Sequence, residues 1–127
     1  MEKNNLPKII PVFPLSNFIL FPKTSVPLNI FEPRYIDMIN DSMKLNKLIG
    51  MIQPFGSNDI EELPPKLHTI GCLGKITSFK ETDNGTFLVE LKGLVRFETI
   101  SEIESNKKER QYGVNFEKYR NSVKKEK

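Results

Sequence analysis

Nine prolines stand in this chain of 127 residues, and all nine fall in its first 65 positions: Pro7, Pro11, Pro14, Pro22, Pro27, Pro33, Pro54, Pro64 and Pro65. Proline donates no ladder hydrogen bond, so it is confined to strand edges, strand ends and turns. The first half therefore reads as short strands tied by proline-punctuated loops. Ile9–Leu15 and Thr24–Ile30 fit that description, and Val26, Leu28 and Ile30 alternate as one face of a strand does. Pro33 suits the first position of a helix because its fixed φ is already helical. Behind it Tyr35, Ile36, Ile39 and Met43 recur at helical spacing, with Asp37, Asn40, Asp41 and Lys44 opposite. Leu48–Gln53 is a dense apolar run of strand length, expected to be buried on both faces, and 54–65 reads as a loop.

Residues 66–127 carry no proline. Thr69–Lys80 and Gly85–Leu91 flank Asp83-Asn84-Gly85, which predicts a hairpin with a type I′ turn. Gly93 is expected to make the next turn. Leu94–Ile103 follows as a strand with Val95, Phe97 and Thr99 on one face and Arg96 and Glu98 on the other. Residues 104–111 read as a polar loop, and Tyr112, Val114 and Phe116 mark a last strand. Six or seven short strands must hide their edges by curling or closing. The expectation is a mainly β fold, a small barrel with one early α-helix packed on it, over 9–119. Residues 1–8 form a flexible start and 120–127 a basic, flexible tail.

Length allows one domain, able to bury roughly two-thirds of its unfolded surface. A single Cys excludes an internal disulfide framework and suits a reducing, cytoplasmic setting. No signal-peptide pattern opens the chain, and the apolar run Phe18-Ile19-Leu20-Phe21 is far too short to span a bilayer. The net charge of +3 is a property of the end: residues 118–127 carry +4 and the rest −1. A folded nucleic-acid face is not indicated, since affinity follows the number of phosphates neutralised; weak contact through the tail is.

Catalytic and metal constellations are thin. Gly71-Cys72-Leu73-Gly74-Lys75 lacks the four-residue spacing and the hydroxyl of a phosphate loop, and reads as strand glycines allowing a bend or close packing. His68 and Cys72 would lie roughly 13 Å apart along a strand, too far for one metal. One His and no nucleophile elbow leave no triad. Neither a cofactor motif nor a metal set stands out. Within Phe31-Glu32-Pro33-Arg34-Tyr35, Glu32 is expected to tend the helix N-terminus. Arg34 is expected to face another way on the first turn, so a Glu32 base with an Arg34 anion clamp is the weaker reading.

Taken in order, Pro11-Val12-Phe13-Pro14-Leu15, Leu20-Phe21-Pro22 and Pro27–Tyr35 resemble the N-terminal domain of the ATP-dependent Lon protease. Ile70-Gly71-Cys72-Leu73-Gly74-Lys75-Ile76 is similar to that family's IGxxAxI strand, Gly85 to its DGxxxV hairpin and Gly93-Leu94-Val95-Arg96-Phe97 to its GxxRF strand. The FEPRY form resembles small stand-alone proteins carrying only this domain. The resemblance implies a PUA-like β-barrel that recognises substrate polypeptides, with no Walker motif and no protease domain in the chain. Set against that family, the chain is expected to stop before the family's helical bundle. On this reading the chain is a non-catalytic module for unfolded or extended polypeptides, linked to protease machinery. Phe31, Glu32, Arg34 and Tyr35 are its contact residues, and Asn58–Leu63 a rim. The alternative implied by PUA-like barrels elsewhere is RNA binding.

Overall fold

The computed structural model describes residues 6–15, 18–54, 67–104 and 110–119. The expected rim at Asn58–Leu63, the tail 120–127 and most of the N-terminal stretch lie outside them. Six strands and one helix run in the order β1 (Ile9–Pro14), β2 (Ser25–Ile30), α1 (Pro33–Lys44), β3 (Leu48–Ile52), β4 (Ile70–Glu81), β5 (Phe87–Ile103) and β6 (Arg110–Asn115), followed by a 3-10 turn at Glu117–Tyr119. The fold is mainly β, as the proline pattern and alternation imply.

The strand order is β2-β5-β4-β3-β1-β6, and β6 pairs again with β5. Five strands thus form a closed circuit of pairings, with β2 attached outside it. Only β1 and β3 run parallel, Val12 opposite Gly50 and Pro14 opposite Ile52. Closure depends on the length of β5. Its first part pairs with β2, Ile30 opposite Phe87, and its last part with β6, Glu98 opposite Asn115.

Two apolar clusters result. One is built by all five strands of the circuit: Ile10 and Val12, Leu48 and Ile52, Leu73, Val95 and Phe97, and Val114, joined by Phe116. Phe97 is fully buried, and a methyl at Gly71 would sit 2.6 Å from its ring. The Gly71-x-x-Gly74 spacing is therefore a packing device, as its failure to match a phosphate loop suggests. The other cluster lies on the opposite face, beneath α1 and β2, and holds Phe13, Ile30, Met38, Ile39, Ile49, Met51 and Cys72. Every residue of β3 is buried because both clusters draw on it. The helix turns Met38, Ile39 and Ser42 inward; Ser42 is tolerated there because its hydroxyl donates to the Leu48 carbonyl at 3.4 Å.

Three expectations give way. Gly93 makes no turn: β5 runs through it, and the space a side chain would need is taken by the backbone of Phe21. Lys23 N–H donates to the Gly93 carbonyl and Gly93 N–H to the Thr24 carbonyl, each at 2.8 Å. Asp83-Asn84-Gly85 does turn the β4–β5 hairpin, but only Gly85 has positive φ (+82°), so the turn is not type I′. The Gly85 N–H donates to the Thr82 carbonyl and Thr82 N–H to the Thr86 carbonyl, a three-residue loop closed by a left-handed glycine. Finally, β6 begins at Arg110, inside the stretch read as loop, where Arg110 and Tyr112 share a face and both donate to the Glu102 carboxylate.

Candidate functional site

The joint between β2 and α1 is set by Pro33. It occupies the first turn of the helix, and Glu32 stands at the N-cap with extended φ/ψ of −74° and 137°. The carboxylate of Glu32 makes no cap hydrogen bond; the backbone carbonyl does the local work, accepting Tyr35 N–H at 3.0 Å and Ile36 N–H at 2.9 Å. Freed from capping, the side chain lies 3.8 Å from Arg34 Nε. The guanidinium of Arg34 stands 5.5 Å from the centre of the Tyr35 ring. Arg34 thus turns toward Glu32 and Tyr35 rather than away, against expectation.

Tyr35 faces inward and tilts against Phe13, ring centres 4.3 Å apart. Burial pushes its phenol pKa up, with Arg34 opposing, so it stays protonated. Phe31 projects outward and is 67% exposed. These four residues, predicted from the sequence, all line one groove of about 720 Å³. The sequence reading missed the lining from β1 and beyond β3, formed by Phe13, Pro14 and Pro54, and the cation Arg110. The signal for Arg110 was its two-residue spacing from Tyr112.

Arg110 is itself held. It forks onto Glu102, Nε at 3.0 Å and Nη2 at 2.9 Å, and donates to the Tyr112 hydroxyl at 2.8 Å. That bidentate bond lowers the Glu102 pKa and raises the Arg110 pKa. The groove therefore has an apolar lining with one loose, exposed Glu32–Arg34 pair and one cation fixed from behind. A half-exposed carboxylate beside an equally exposed guanidinium is solvated and mutually compensated, which suits contact with a polar backbone better than proton transfer. Among the described residues no group of three or more His, Cys, Asp or Glu could hold a metal ion, and no helix is long and apolar enough to cross a membrane.

Residues 9–127 match the family model of the ATP-dependent protease La (Lon) substrate-binding domain. The chain belongs to that family. The Lon protease of Flavobacterium johnsoniae is 31% identical over 105 residues, covering 83% of this chain and 13% of the relative. That of Desulfosudis oleivorans is 31% identical over 104 residues, 81% of this chain and 13% of the relative. The chain thus spans about an eighth of these curated relatives. Among solved structures, a Lon N-terminal domain protein from Xanthomonas campestris superposes with a TM-score of 0.67 at 23% identity, over 85% of this chain and 59% of that one. The N-terminal domain of the Mycobacterium avium complex Lon protease gives 0.63 at 15% identity, over 86% and 54%. The Lon substrate-binding fold is thereby shared.

Proposed function

We propose that this Lon-type domain is a non-catalytic polypeptide-binding module, without ATPase or protease activity of its own, whose groove at the β2–α1 joint takes extended segments of unfolded protein. Phe31, Glu32, Arg34 and Tyr35 are its contact residues. The observation that carries this reading is that all four converge on one apolar-lined groove in a member of a substrate-binding family. The edge of β2 supports it. Among the described residues β2 pairs with β5 alone, and Leu28, Asn29 and Ile30 border the groove, so a peptide could add its backbone there while its side chains enter the groove. Shallow contacts of this kind give Kd values on the order of micromolar or weaker. Polypeptides bound here would be those destined for proteolysis, as the Lon relatives suggest.

The test is amide NMR titration with a permanently unfolded polypeptide. Shifts are expected across 26–35 and at Arg110, and none at millimolar polypeptide would overturn the reading. Parallel assays of ATP hydrolysis and casein cleavage should read zero. Structured RNA distinguishes the alternative: affinity that survived removal of 118–127 with a steep salt slope would favour a nucleic-acid module.

A further inference from the structure

Two of the sequence motifs contribute nothing to the groove, Ile70–Ile76 and Gly93–Phe97. They meet at a second cavity of about 280 Å³, which shares no lining residue with the first. Ile19, Met51 and Ile70 supply apolar walls, and Gln53, His68, Thr69 and Arg96 polar ones. Ile19 is 56% and Ile70 47% exposed, so the cavity opens to solvent.

The charge at its mouth is unbalanced. Arg96 lies across the ladder from Cys72, and its guanidinium stands 5.9 Å from the Phe21 ring. Among the described residues it has no ion-pair partner. The acid nearest in sequence on the same face, Glu98, lies 3.6 Å from Lys118 instead. The buried Cys72 thiol keeps its proton up to about 11, so it offers Arg96 no countercharge at neutral pH.

We propose that this cavity is a carboxylate site, in which Arg96 receives the carboxylate of a ligand whose one aliphatic side chain lies between Ile19, Met51 and Ile70. A single planar fork matches one carboxylate, whereas a polyphosphate would call for several cations. The volume sits just under the roughly 300 Å³ at which small-molecule pockets begin, enough for one residue-sized group. A free aliphatic acid and the last residue of a polypeptide share this chemistry. The site goes beyond the groove and does not depend on it.

The experiment is an NMR titration of the full chain with N-acetyl-leucine and, separately, its neutral amide. The acid should shift the methyls of Ile19, Met51 and Ile70 and the Arg96 side-chain N–H, leaving Phe31 and Tyr35 unmoved. The amide should bind at least about tenfold more weakly. Arg96→Gln should lose the same affinity for the acid, with Arg96→Lys between. Acid and amide binding equally in the wild type, an undiminished Arg96→Gln, or no shifts at the solubility limit would each overturn the site. A hexapeptide ending in leucine that binds more tightly than N-acetyl-leucine assigns the site to chain ends; equal affinity assigns it to free acids.

Discussion

Gly93→Ala tests how firmly the crossing segment before β2 is seated on the sheet. A methyl at this position would collide with the carbonyl oxygen of Phe21 and lie 2.8 Å from its carbon, and both are backbone atoms that cannot swing aside. The chain at 21–24 would have to lift. Doing so breaks the two hydrogen bonds that join Gly93 to Lys23 and Thr24, about 1 kcal/mol each. It also disturbs Leu20, which is 4% exposed and whose full burial is worth roughly 1.5–3 kcal/mol. The loss sums to about 3.5–5 kcal/mol, a large share of the roughly 5–15 kcal/mol that holds a domain together. Relief of glycine's entropy cost in a strand returns about 0.5–1 kcal/mol. Urea unfolding followed by circular dichroism is the assay. With a slope near 1.5 kcal/mol per molar, the midpoint should fall by roughly 2 M. Gly85→Ala is the control: its surroundings are open and only its φ of +82° opposes a side chain, so about 1–2 kcal/mol should be lost. A Gly93→Ala midpoint within about 0.3 M of wild type would refute the reasoning.

Phe31→Ala should weaken polypeptide binding without altering stability. Two-thirds of the ring is exposed in the free protein, leaving about 1–2 kcal/mol to be gained on binding, or roughly 5–30-fold in Kd by calorimetry. Cys72 should resist alkylation at neutral pH until the protein unfolds, because burial holds its thiol near 11; labelling followed by mass spectrometry along a urea series should track unfolding. For the same reason stability should fall as pH rises from 9 toward 11, since the unfolded thiol releases its proton first. The Glu102 carboxyl is held below its ordinary value by Arg110. Its contribution should be complete above the unfolded carboxylate pKa and vanish as pH falls through the lower folded one. Glu102→Gln should flatten that acid limb in thermal melts by a small amount, since the side chain is 43% exposed.

What could be read in advance depended on how local the cause was. Pro33 starts a helix through its own ring, and the unbroken apolar run of β3 already implies two buried faces. The joint at Phe31–Tyr35 was recognisable as a surface cluster because its residues are contiguous. Gly93 misled because its reason is Phe21, seventy-two positions away in the chain, pressed onto a strand that needs a gap there. Arg110 was hidden in a polar stretch because its partner Glu102 is across a hairpin. Glu32 looked like a cap from spacing alone, yet Arg34 draws its side chain off the helix end. The far wall of the groove comes from β1, and no spacing rule connects Phe13 with Tyr35.

The closed circuit of strands also governs when the protein can fold. Ile9 pairs with Gly113 and Val12 with Arg110, so the first strand waits for the last one. The β3–β4 pairing and the β4–β5 hairpin can form early, but the interior around Phe97 stays open until Arg110–Asn115 is available. Contacts that span nearly the whole chain slow folding and leave apolar surface uncovered meanwhile. During synthesis, then, the interior around Phe97 cannot close before Arg110–Asn115 has emerged from the ribosome.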